Sequence, residues 1–198
     1  MQVKLRERTF RNGKTVTILK ADLLECVVDG ILLGASPSLQ LNAGLGKRIA
    51  ALDRQVNRDA AGYSGYVGIQ EACQRWVAKF GEVSAEKPAY TSTWELPFQT
   101  VIHTVPPAWN HQPEATTEGY DMLRQALDLA DLLYLRSVAI SPQLFANSGY
   151  PAEKIAYVLV GGAMEYLKTR DAAIDSILVI VSADDDAHLY TELLDTLL

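Results

Sequence analysis

The sequence predicts a three-layer α/β domain: a mixed, mostly parallel sheet with helices on both faces and an antiparallel hairpin at its N-terminus. Three observations predict it. Short, nearly continuous apolar runs at 27–35 (VVDGILLGA), 99–105 (QTVIHTV), 137–141 (SVAIS) and 176–182 (SILVIVS) read as strands buried on both faces. Stretches with apolar residues at helical spacing alternate with them, and that alternation implies a parallel sheet covered on both sides. Finally, residues 2–8 alternate as a strand, Asn12-Gly13 is a strong hairpin turn, and 14–20 (KTVTILK) returns as a second strand.

The remaining elements follow in order. A polar-capped turn, ADLLEC (21–26), precedes the first buried strand, and Asp29 at that strand's start suits capping or turn chemistry. The small-residue loop 36–46 (SPSLQLNAGLG) enters a helix near Gly44 or Gly46, and a second helix spans roughly 68–80. A polar stretch leads to the strand 99–105, which Pro106-Pro107 stops. After a polar loop at 109–116, a helix is predicted at 117–135, then the strand 137–141 and the loop 142–150 (PQLFANSGY). Pro151 suits the first turn of a helix at 151–168. The last strand is followed by a helix at 184–197, with Asp184, Asp185 and Asp186 at the end where the dipole favours acid. With no repeat, low-complexity tract or linker, residues 1–198 read as one domain.

Composition narrows the function. The chain has 198 residues, 48% apolar and 21% charged, which is ordinary globular usage. The first residues read as a strand rather than a signal-peptide core, and no apolar run approaches the roughly 20 residues that span a bilayer. A soluble, cytoplasmic protein with no membrane partner is expected. A net charge of −6 argues against a broad nucleic-acid surface. It leaves room for a small anionic ligand, since backbone N–H groups bind phosphate without net positive charge. Cys26 and Cys73 are expected as buried reduced thiols rather than one disulfide. His103, His111 and His188, without CxxC or HExxH, make no zinc site, and no metal or cofactor is expected. Nothing in the sequence specifies an oligomeric state.

In open α/β sheets ligands bind beyond the carboxyl ends of the strands. Three loops rich in small residues fall there, 34–46, 142–150 and 182–186. The first two run straight into helix N-termini, whose unpaired N–H groups and dipoles favour a pyrophosphate. The alternative is that they are plain connecting loops.

Several ordered motifs carry a resemblance. Asp22 follows a strand; then come DGILLGAS (29–36), LQLNAGLGKRIA (39–50), GEV (81–83), WELPFQTVIHTVPPAW (94–109) and SVAISPQLFANSGYP (137–151). Together they resemble the macrodomain family, which has a strand ending in Asn-Ala-Ala-Asn, a Gly-rich loop, GEA, YxLP…VIHTVGPxW and SIAFPxISTGxxGYP. The likeness covers nearly the whole chain. It implies a mixed sheet between helices and, as usual ligand, ADP-ribose or an ADP-ribosylated molecule.

Residue by residue, the resemblance implies an adenine end at Asp22 and its neighbour Leu23. Asp22 matches the acidic residue that accepts from the adenine amino group, a charge-assisted bond worth roughly 1.5–3 kcal/mol. Its other reading is an N-cap on the turn at 23–25. Ala35 and Ser36 stand at the strand end, where Ser36 replaces the Asn that orients the distal ribose in hydrolytic members. Gly46 replaces an Asp that activates water in some of them, and a glycine cannot act as a base. Asn42, Ala43, Gly44 and Leu45 form the first phosphate loop, small enough for close backbone approach. Lys47 and Arg48 stand against the dipole preference and read either as solvated surface charges or as aids to an anion.

In the second phosphate loop Leu144-Phe145-Ala146 replaces Ser-Thr-Gly, followed by Asn147, Ser148 and the retained Gly149 and Tyr150. Its amides remain able to hold the distal phosphate. Leu144 and Phe145 are expected to narrow the pocket, with Phe145 either stacking on the ligand or plugging the cleft. The aromatic that usually covers adenine is replaced by Val181-Ser182-Ala183, a loss of about 1–3 kcal/mol of stacking, and Tyr190 reads as packing. Ser182 remains a ligand candidate.

His103 reads as structural; His111 and His188 have no visible nucleophile partner. Tyr63 and Tyr66 either overhang the pocket or pack on the surface. The leading expectation is a binding module for ADP-ribose or a related nucleotide, without a family-type catalytic residue. The alternatives are an ADP-ribosyl hydrolase using a ligand-assisted water, and a scaffold for protein association that has lost its ligand.

Overall fold

The computed structural model describes residues 2–59, 65–112, 114–182, 185 and 187–197. Tyr63, Ala183, Asp184 and Asp186 lie outside that set. Seven strands form one sheet: β1 (Val3–Thr9), β2 (Thr15–Lys20), β3 (Val28–Gly34), β4 (Ala89–Ser92), β5 (Phe98–Thr104), β6 (Ser137–Ile140) and β7 (Ser176–Val181). Their order is β1-β2-β7-β6-β3-β5-β4. The five inner strands are parallel, while β1 and β4 are antiparallel edges. The hairpin between β1 and β2 turns at Gly13, whose φ of 81° is open to glycine without strain, and the Asn12 side chain accepts from the Lys14 amide.

Helices α1 (Gly44–Val56) and α2 (Ile69–Phe80) cover one face; α3 (Glu114–Leu132), α4 (Ala152–Thr169) and α5 (Ala187–Thr196) cover the other. Period-two alternation within the strands divides the core accordingly. Ile31 and Leu33 of β3 pack toward α1 and α2, whereas Leu32 packs toward α3 and α4. Asp29 does the turn chemistry expected of it. Its carboxylate accepts from the amides of Arg136 (2.7 Å) and Ser137 (2.9 Å), fixing the start of β6 against β3.

Three expectations need correction. The polar stretch before β5 contains a strand, β4, paired with Thr100–His103. Four residues of alternating burial are too few for an apolar signature. The helix predicted at 117–135 runs instead from Glu114 to Leu132. It stops early because Tyr134 takes a φ of 57° and breaks the helical path. The last helix, described over Ala187–Thr196, does not include Asp185, which the expected start at 184 would place in it. Asp185 turns back instead, its carboxylate accepting from both the amide (2.6 Å) and the hydroxyl (2.8 Å) of Ser182. Cys26 and Cys73 are both buried free thiols, as expected.

Candidate functional site

Because β2, β7, β6, β3 and β5 are parallel, their carboxyl ends open on one edge of the sheet. Helices after β3 lie on one face and those after β5 and β6 on the other, so a crevice opens where β3 meets β6. Every one of these strands contributes to its walls: Lys20 at the end of β2, Ile180 of β7 and Ser182 just beyond it, Ser141 after β6, Gly34 of β3, and Pro106 after β5. The crevice has two adjoining chambers of about 360 and 590 Å³, with Arg48 and Gln143 bordering both.

The smaller chamber holds Asp22 and Leu23 on a short 3-10 turn, Leu23–Glu25. Asp22 caps this turn, accepting from the Leu24 amide at 3.1 Å. Its second oxygen accepts from the Arg48 guanidinium, which reaches across from the start of α1. The reading of Arg48 as a plain surface charge is therefore corrected: the half-exposed side chain forms an ion pair inside the crevice. Ile180, Pro142, Leu23 and Ala21 give this chamber apolar walls, and Ser182 lines it too.

The larger chamber holds Ala35, Ser36, Asn42, Ala43, Gly44, Leu45, Ala146 and Asn147. Helix α1 begins here at Gly44 with no side-chain cap, so its first amides keep their donors. The Ser36 hydroxyl accepts from the Gln40 amide at 3.1 Å and so shapes its own loop. On the facing side, the amides of Leu144, Ala146 and Ser148 donate within their loop, to Ser141, Gln143 and Phe145 carbonyls. Asn147 and Gly149, at φ of 62° and 80°, have amides without an acceptor among the described residues.

Leu144 and Phe145 do not narrow the cleft. Both are buried, 1% and 2% exposed, and join the core between the sheet and α4. Two adjacent apolar side chains gain more there than in an open crevice. Phe145 packs against Tyr150 with ring centroids 4.8 Å apart, and Tyr150 donates its hydroxyl proton to the Ala115 carbonyl. Neither plugs nor stacks in the cleft; Ser148, Gly149 and Tyr150 support the loop from outside the chamber lining.

What sequence reasoning missed is chiefly Gln143 and the pairing of Arg48 with Asp22. The polar Gln143, isolated between Pro142 and an apolar pair, was the signal for the outward-facing residue of that turn. Ser141 also lines the smaller chamber, and its buried hydroxyl has no partner among the described residues. A separate groove of about 420 Å³ between α3 and α4, walled by Tyr120 and Tyr157, holds none of the predicted site residues. No group of three potential metal ligands occurs among the described residues.

The histidines lie outside the crevice lining. His111 accepts from the Trp109 indole at 3.1 Å. Tyr66 packs edge-on to Trp94 and donates to Asp53, away from the cleft. His103 is fully buried, with Nε2 2.8 Å from the Thr91 hydroxyl and 3.9 Å from the Cys73 thiol. Burial holds its pKa at about 4, below the ordinary 6.5. Above pH 6.5 the ring is neutral in folded and unfolded chains alike. As pH falls from 6.5 toward 4, the unfolded chain gains a proton that the native ring refuses. This site should thus remove about 1.4 kcal/mol of stability per pH unit, or about 2 kcal/mol by pH 5. Urea titrations at pH 7.5 and 5 should show a smaller acid loss for His103→Gln. Equal losses would rule out His103 as the cause.

Fold and crevice together define an open-sheet α/β domain with a ligand cleft at its strand ends. The Macro domain family profile matches residues 59–159, and the chain belongs to that family. The match includes the 142–150 loop and starts after the 34–46 loop. An O-acetyl-ADP-ribose deacetylase of Klebsiella pneumoniae (strain 342) is 29% identical over 179 residues, 89% of this chain and 94% of that protein. An Oceanobacillus iheyensis macrodomain with MES bound superposes with a TM-score of 0.79 at 21% identity, over 100% of this chain and 98% of that one. The same macrodomain with ADP gives 0.77 at 22%, over 100% and 96%. These likenesses show the shared fold. No described helix is long and apolar enough to cross a membrane.

Proposed function

We propose that the crevice binds ADP-ribose, free or attached to another molecule, with adenine in the Asp22 chamber and the diphosphate over the start of α1. The observation that carries this reading is the open larger chamber, where the uncapped amides of α1 face the loop bearing the Asn147 amide. An anion there meets aligned donors and a helix dipole without any need for net positive charge. Support comes from the relatives: one is named for an ADP-ribose ester and another was solved with ADP.

Asp22, Leu23, Ser182 and the apolar wall around Ile180 would receive the base. Ala35, Ser36 and the segments Asn42–Leu45 and Ala146–Asn147 would receive the diphosphate and distal ribose. Buried thiols at Cys26 and Cys73 suit a reducing compartment, and we place the protein in the cytoplasm. Isothermal titration with ADP-ribose should give saturable one-to-one binding. No heat at millimolar ligand would overturn the reading.

The deacetylase relative favours one second reading, hydrolysis of an ADP-ribose ester or conjugate. Against it, Gly46 offers no base and the Ser36 hydroxyl is engaged by its own loop. Release of acetate from O-acetyl-ADP-ribose above the buffer rate would establish it.

A further inference from the structure

Resting on that reading, we propose that Arg48 is the specificity residue for the ligand's diphosphate and that its ion pair with Asp22 is a latch the ligand opens. Arg48 is the one charged side chain lining the larger chamber among the described residues. The smaller chamber is different in kind: Asp22, Glu25 and Asp185 place three carboxylates on its walls against Lys20 and Arg48. A phosphate group is disfavoured beside those carboxylates and favoured beside the lone guanidinium. The two chambers therefore sort a nucleotide by charge, with Arg48 at their boundary.

The position of Arg48 on its helix strengthens the argument. It stands in the opening turns of α1, where the dipole already makes the potential positive and a cation is disfavoured. A cation held there wants an anion beside it. In this structure that anion is Asp22, the residue also expected to accept from the base. A diphosphate seated over Gly44–Gly46 would compete for the guanidinium, whose planar fork matches phosphate oxygens. Releasing Asp22 would free one carboxylate oxygen for the amino group of the base. Phosphate and base would thus favour one another's binding, and the affinity that phosphates add to adenosine beyond what the α1 amides supply would run through one side chain.

The test measures binding of adenosine, ADP, ADP-ribose and inorganic pyrophosphate to wild type, Arg48→Ala, Arg48→Lys and Asp22→Asn at low and high salt. Wild type should prefer ADP over adenosine by about tenfold or more, the scale of a charge-assisted contact. Arg48→Ala should lose several-fold of that preference, keeping the share the α1 amides supply, while binding adenosine as well as wild type or better. Arg48→Lys should fall between the two. Asp22→Asn, with the guanidinium released from its counter-ion, should bind pyrophosphate more tightly than wild type. If Arg48→Ala keeps the ADP preference, or loses adenosine and ADP by the same factor, the latch is overturned while nucleotide binding stands. A wild-type protein that binds none of the four overturns the proposed function and the latch together.

Discussion

Replacing Gly34 by alanine is expected to destabilise the protein by about 3 kcal/mol or more, at or above the upper end of ordinary core overpacking. Gly34 ends β3 and forms part of the larger chamber. A Cβ there would lie 2.2 Å from the Leu144 carbonyl oxygen and 3.0 Å from its carbon. Both are backbone atoms of the Pro142–Phe145 turn, so no side-chain rotation relieves the overlap. The end of β3 and the turn must separate, and that turn is held by the buried Leu144 and Phe145. Gly30→Ala is the matched control. Its Cβ would meet the flexible end of Leu135 at 2.6 Å, with backbone no nearer than 3.4 Å, and should be milder. Urea denaturation of the two variants decides the matter. A Gly34→Ala protein within about 1 kcal/mol of wild type would show that the turn can yield. Since Gly34 lines the larger chamber beside Gln143 and Ala146 of that segment, ADP-ribose affinity should fall in Gly34→Ala as well.

The order of strands and helices was legible because β3, β5, β6 and β7 are nearly continuous apolar runs, the mark of burial on both faces, while the Asn12-Gly13 turn marked β1 and β2. β4 was not, since Ala89–Ser92 is an edge strand with every second residue outward. The loops of the crevice were legible as small-residue segments at strand ends. Which side chains point into it was not. Phe145 illustrates the difficulty: an aromatic in a pocket loop suggests stacking, yet packing against Tyr150 behind the loop draws it into the core. The Asp22–Arg48 pair was equally hidden. Each residue has a satisfactory local reading, as a cap and as a helix-surface cation. Only the fold brings the turn after β2 opposite the start of α1.

Replacing Asp53 by alanine should destabilise the protein by about 3–4 kcal/mol, the scale for leaving two or three buried donors unmet at roughly 1–3 kcal/mol each. Asp53 lies on α1 and is 2% exposed. Its carboxylate accepts from Asn57 Nδ2 at 2.9 Å, Tyr66 Oη at 3.0 Å and the Ile69 amide at 3.0 Å. The last of these matters most. Helix α2 starts after Gly68, which offers no side-chain cap, so a carboxylate borrowed from α1 caps it instead. That anion also sits at the favourable end of the α2 dipole. Burial, and after it the Asp53 carboxylate, push the Tyr66 phenol up to about 12, so the tyrosine remains a donor throughout the neutral range. Asp53→Asn keeps one acceptor oxygen and should lose about half as much. Hydrogen exchange gives the distinguishing readout: the Ile69 amide and the first turn of α2 should exchange far faster in Asp53→Ala. Protection unchanged at Ile69, with stability within about 1 kcal/mol of wild type, would mean that α2 starts without this cap. Because α1 carries Gly44 and Arg48 at its other end, the cap also anchors the helix whose N-terminus forms the diphosphate side of the crevice.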